Sequence, residues 1–128
     1  MRILLDTHSF WWAVRAPDRL SEWGRTALLD ESNEICVSVV NWWELVLKRG
    51  KGKMTFPSSD PFLPEMTRRL GVESVLEIRA RHVLEVEKLP MLHRDPFDRM
   101  LVAQARCERL ALMTRDAKLQ VYPVTCVW

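Results

Sequence analysis

Short apolar runs alternate with longer helical stretches along this chain, and few folds accommodate such an alternation. Residues 2–6 read as a short buried strand, followed by an aromatic helix from Ser9 to Arg15 and a break at Pro17-Asp18. Ser21 is a good N-cap for a helix over Glu22 to about Leu29. Ile35-Cys36-Val37 is the second strand, and Ser38 opens a long helix that ends at Gly50. Residues 51–58 are a loop, Asp60 to Leu70 is helical and Gly71 stops it. Val72 to Ile78 is rich enough in β-branched residues for a third strand. A helix over Arg79–Glu87, a loop over Pro90–Pro96 and an amphipathic helix over Phe97–Arg109 follow. Leu110–Thr114 is the fourth strand, Asp116–Gln120 a helical turn and Val124–Val127 a short last strand. This β-α-β-α order predicts one α/β domain over residues 1–128, with helices covering both faces of a mainly parallel sheet of four to five strands.

The composition narrows the classes of function. Hydrophobic residues make up 48% and charged residues 28%, as in a soluble globular domain. No apolar run approaches the roughly 20 residues of a membrane span, and the N-terminus lacks a secretory apolar region, so a cytoplasmic protein is expected. Cys36, Cys107 and Cys126 form no CxxC pair, and buried free thiols are expected. A net charge of +2 does not by itself argue for nucleic acid. Nor is there a Walker motif, a GxGxxG, a GxSxG or an HExxH.

The spacing of isolated acids carries the chemistry. Asp6 closes the run Ile3-Leu4-Leu5, and Asp116 follows Leu110 to Arg115. Glu44 is embedded between two tryptophans and Leu45-Val46-Leu47, and Asp98 opens the segment Met100 to Ala105. Each acid alone has a plainer reading. Asp6 can cap a helix, Asp95 and Asp98 can complement a helix dipole beside Pro96, and Asp116 can be a turn residue. Glu44 is the hardest to explain that way. In an open α/β sheet, ligands sit beyond the carboxyl ends of the strands, an edge that all four acids can reach. Two carboxylates about 4 Å apart repel by several kcal/mol at an effective dielectric near 20. Four together call for a cation, and oxygen ligands favour Mg²⁺ or Mn²⁺.

Four motifs in order give the chain a family resemblance. They are Leu4-Leu5-Asp6-Thr7-His8; Trp43-Glu44-Leu45 with Lys48-Arg49-Gly50; the block from His93 through Asp95-Pro96-Phe97-Asp98 to Ala105; and Thr114-Arg115-Asp116. Over nearly its whole length the chain resembles the PIN-domain ribonucleases, most closely the VapC-type toxins of bacterial toxin–antitoxin pairs. The resemblance implies a PIN-like three-layer α/β/α sandwich. It implies that Asp6, Glu44, Asp98 and Asp116 hold Mg²⁺ or Mn²⁺, that Asp95 assists, and that Thr7 and Thr114 orient a carboxylate or water. Asn41 stands where relatives often have a small hydroxyl residue. The implied chemistry is metal-assisted hydrolysis of RNA, in relatives often a tRNA or ribosomal RNA, leaving a 5′-phosphate and a 3′-hydroxyl. Lys48, Arg49, Lys51, Lys53, Arg94, Arg99 and Arg115 are candidates for holding its backbone phosphates.

Six tryptophans in 128 residues exceed the needs of a small core. Trp11, Trp12 and Trp42 are assigned to a contact surface, either for a cognate antitoxin or for a homodimer, both of which the resemblance implies. Two other classes compete with the metal-dependent nuclease. A PIN scaffold acting only as an RNA- or protein-binding module would have no reason to keep four repelling acids. A flavodoxin-like phosphotransfer domain wants paired acids after the first strand, where only Asp6 is found.

Overall fold

A computed structural model describes residues 1–128. Four parallel strands form one sheet in the order β2-β1-β3-β4: β1 (Arg2–Leu5), β2 (Glu34–Cys36), β3 (Ala111–Met113) and β4 (Cys126–Val127). The register pairs Ile3 with Ile35, Leu4 with Leu112, and Leu112 with Cys126. The chain steps from β1 outward to β2, then returns across β1 to β3. The order therefore reverses between β1 and β3, which is where such sheets open a crevice.

Alternate strand side chains feed two separate cores. Ile3, Leu5 and Met113 join Phe10, Ala27, Leu45, Leu63 and Met66 on one face. Leu4 and Leu112 join Val40, Leu101, Val102, Ala105 and Leu119 on the other. Ile3, Leu4 and Leu5 are fully buried, each worth about 2 kcal/mol in area removed from water. Both sides of the sheet are thus apolar, as a parallel sheet requires. Seven helices complete the sandwich: α1 (Thr7–Arg15), α2 (Glu22–Leu29), α3 (Val39–Gly50), α4 (Ser59–Arg69), α5 (Ala80–Lys88), α6 (Pro96–Glu108) and α7 (Ala117–Gln120).

The helix starts follow the capping residues. Ser21 Oγ accepts from Gly24 N at 2.9 Å, and Ser38 Oγ from Val40 N at 3.0 Å. Helix α1 begins at Thr7, two residues before the expected Ser9, because Asp6 caps it: Asp6 Oδ1 accepts from Ser9 N at 2.7 Å. Pro96 occupies the first turn of α6, where its missing N–H costs nothing.

The expected strand over 72–78 does not form. Only Ser38 and Leu76 make a parallel bridge. Leu76 N donates to Val37 O, Val39 N donates to Leu76 O, and the pairing stops there. Ser38 already lies past β2 at the start of α3, so the segment has no strand to extend along. β-branched content set the expectation; a missing partner ladder overrides it. The cysteines also differ from expectation, being half-buried rather than fully buried, and all three are free.

Candidate active site

Four different elements deliver the isolated acids to one cleft of about 280 Å³ at the sheet's switch point. Asp6 follows β1, Asp116 follows β3, Glu44 projects from α3, and Asp98 lies in the first turn of α6. Asp95 lines the same cleft, and no apolar side chain does.

Backbone geometry holds the β1 and β3 acids side by side. Asp6 N and Ser9 Oγ both donate to Met113 O, each at 3.1 Å, which ties the end of β1 to the end of β3. Asp116 N donates to Thr114 Oγ1 at 3.0 Å, and Asp116 Oδ1 accepts from Lys118 N at 2.9 Å. Asn41 pins α3 to β1. Its Oδ1 accepts from Ser38 N at 2.8 Å, and its Nδ2 donates to Leu5 O and Thr7 Oγ1, both at 3.2 Å. An amide can do this where a hydroxyl cannot, since it offers an acceptor and two donors. Glu44 reaches the cleft because it belongs to the buried stripe Val40, Asn41, Glu44 and Leu45 of α3.

The cleft is electrostatically crowded. Burial above all, then the neighbouring Asp95, push the Asp98 carboxyl up from 3.8 to about 7; Glu44 adds to the push, and the His93 hydrogen bond opposes it. His93 Nε2 lies 2.9 Å from Asp98 Oδ2. Lys48, one turn beyond Glu44, places Nζ 3.0 Å from Glu44 Oε2. Glu44 Oε1 is buried with no hydrogen-bond partner, an arrangement that costs free energy unless a cation or donor meets it. One oxygen each of Asp98 and Asp116 and a ring nitrogen of His93 lie within 4.8 Å of one another. Asp6 and Glu44 fall outside that tightest set, Asp6 being held by its cap and Glu44 by Lys48. The orphaned oxygen, the carboxylate set and the raised Asp98 fit a divalent cation.

Other expected site residues divide. Thr7 lines the cleft beside Asp6, and Thr114 is buried behind Asp116. Asp95 serves first as a cap, its Oδ1 accepting from Phe97 N at 2.9 Å and from Asp98 N at 3.3 Å. Of the expected cations, only Lys48 enters the cleft. Arg49, Lys51, Lys53, Arg94 and Arg115 are exposed. Arg99 is a correction: it is 8% exposed, and its guanidinium donates to Pro90 O, Val86 O, Leu89 O and the Tyr122 hydroxyl. Both of its terminal amino groups are committed to these oxygens, so neither is offered to a phosphate.

The three tryptophans assigned to a contact surface differ in burial. Trp12 is buried, Trp11 packs half-buried against Phe56 and Phe62, and Trp42 Nε1 donates to Thr67 Oγ1 at 3.0 Å. Adjacent residues on a helix point about 100° apart, and on α3 it is Trp43 that faces outward, 53% exposed. Lys118 also lines the cleft, although one exposed lysine on a short turn gives no signal in a sequence. His93, by contrast, stands five residues before Asp98 in the sequence, near enough to suggest support for an acid, and the fold brings the two into contact.

The PIN domain family model matches residues 3–124, and the chain belongs to that family. It resembles Ribonuclease VapC22 of Mycobacterium tuberculosis, with 30% identity and 98% of each chain covered. Among solved structures, it superposes on VapBC2 from Rickettsia felis bound to a promoter DNA fragment with a TM-score of 0.72, at 18% identity and covering 100% of this chain and 99% of that one. FitAcB from Neisseria gonorrhoeae gives a TM-score of 0.64 at 17% identity, covering 98% and 96%. The protein is thus a VapC-type PIN domain.

Proposed function

We propose that this chain is a Mg²⁺- or Mn²⁺-dependent endoribonuclease that acts in the cytoplasm as the toxin of a toxin–antitoxin pair. The observation that carries this reading is the convergence of Asp6, Glu44, Asp98 and Asp116 from four elements, with Glu44 Oε1 buried and unpartnered. Membership of the PIN family and likeness to a ribonuclease support it. Asp6, Glu44, Asp98 and Asp116 are the residues that would hold the metal. Bound there, the metal supplies a more acidic water and offsets charge on the phosphoryl oxygens.

The rest follows from the chain's own groups. Without the metal, burial holds the Asp98 carboxyl up at about 7; as a metal ligand it would stand as the carboxylate. His93 fixes its orientation through Oδ2. Thr114 and Asn41 hold the acid-bearing backbone in place, and Lys48 can leave Glu44 to meet a phosphate oxygen. Exposed Arg49, Lys51, Lys53 and Arg94 supply backbone attraction for RNA. A cognate antitoxin and a second copy of the chain are the proposed protein partners. The exposed apolar residues Trp43, Val46 and Leu47 on α3 offer them a surface.

The test is cleavage of total tRNA and ribosomal RNA by the purified protein with Mg²⁺ or Mn²⁺. Discrete fragments that vanish with EDTA and in Asp98→Asn are expected. Intact RNA under every condition, with folded and antitoxin-free protein, would favour the non-catalytic binding module instead.

A further inference from the structure

A second recess of about 420 Å³ adjoins the acid cleft, sharing Asp6, His8 and Asp116 with it and adding Trp12 and Arg115. Its wall is an aromatic and cationic stack that the acid chemistry does not use. The exposed His8 ring lies nearly parallel to the Trp12 indole, with centroids 5.3 Å apart and planes 17° apart. Arg115 sits over the same indole at 4.7 Å. Trp128 closes the group edge-on to Trp12 at 6.1 Å. Arg115 is exposed and makes no ion pair, although Asp116 is its chain neighbour.

Trp12 is covered by His8 and Arg115, with Arg19 farther off at 6.0 Å, and the two covering residues are themselves exposed beside the cleft. Flat rings and guanidinium planes beside a phosphate-handling cleft suit an unpaired base, whose π-face is free only when the strand is single. Asp6 and Asp116 form the wall common to both recesses. A strand with one phosphate at the carboxylates therefore sets its neighbouring nucleotide against His8.

We propose that His8, backed by Trp12 and flanked by Arg115, is a stacking site for one unpaired base adjoining the phosphate in the acid cleft. This rests on the ribonuclease reading and adds to it the residue against which one substrate base stacks.

The test measures binding rather than cleavage. A fluorescently labelled five-nucleotide RNA, and versions carrying one abasic ribose at each position in turn, are titrated with the full chain in Ca²⁺ and followed by anisotropy. In the wild type, one abasic position should weaken binding roughly 5- to 100-fold, the range for loss of one stacked base. In His8→Ala the intact strand should bind as weakly as that abasic strand, with no further loss on removing the base. His8→Phe, which keeps a ring without charge, should restore the wild-type ratio. The proposal is overturned if the ratio of intact to abasic affinity is the same in His8→Ala as in the wild type, or if wild type binds no strand at all. RNA bound with the expected ratios but left uncut in Mg²⁺ would refute the nuclease and keep the stacking site.

Discussion

Replacing Asp98 with asparagine should stabilise the metal-free protein while abolishing its proposed activity. The magnitude follows from the crowding of the cleft. Raising a carboxyl from 3.8 to about 7, at about 1.4 kcal/mol per pH unit, corresponds to roughly 4 kcal/mol as an upper bound. The Asp98 side chain is only 17% exposed, so solvent screening removes a minor part of this, and about 2–4 kcal/mol is expected. The sign comes from which state holds the proton more tightly. Folded Asp98 binds it more tightly than unfolded Asp98, so its contribution is fully present below pH 3.8 and is lost as pH rises to about 7. The amide of the Asp98→Asn variant cannot ionise and loses nothing. The variant's advantage should therefore be near zero at about pH 4 and level off above about pH 8. Urea and thermal unfolding in EDTA across that range measure it, and each kcal/mol moves Tm by about 3–5 °C in a chain of this size. Mg²⁺ should then raise the wild-type Tm more than that of the variant. A variant no more stable than wild type at the alkaline end, or a gap that does not change with pH, would show that burial and the neighbouring charges do not penalise the Asp98 carboxylate in the folded cleft.

Further outcomes follow from individual contacts. Asn41→Ala strands Ser38 N and Leu5 O inside the fold, so it should cost about 2–4 kcal/mol in chemical denaturation. Arg99→Ala frees the carbonyls of Val86, Leu89 and Pro90 and should cost a similar amount. Arg94→Ala should instead stay within about 0.5 kcal/mol of wild type and weaken RNA binding with a shallower salt dependence, read by anisotropy. Arg109 ends α6 in the left-handed region at φ 56°, so Arg109→Gly should gain up to about 1 kcal/mol in thermal unfolding.

The layer order, most helix starts and the identity of the four acids are legible in the amino-acid order alone. Those signals are local: apolar runs of strand length, Ser21 and Ser38 ahead of helical periodicity, and carboxylates where apolar neighbours make them costly. Glu44 belongs with them, because a helix imposes its own side-chain spacing and so sets which neighbours an acid meets. Whatever depends on partners distant in the chain emerges only from the fold. The segment 72–78 has strand propensity but meets one bridging residue instead of a ladder. Arg99 reads as a surface cation until the loop carbonyls of Val86, Leu89 and Pro90 close around it. Trp42 and Trp43 are indistinguishable as neighbours until the packing of α3 turns one inward and the other to solvent. The stacking of His8, Trp12 and Arg115 joins opposite ends of the chain. Only the parallel pairing of β1 with β3 brings them together, since it carries the chain after each strand to the same edge of the sheet.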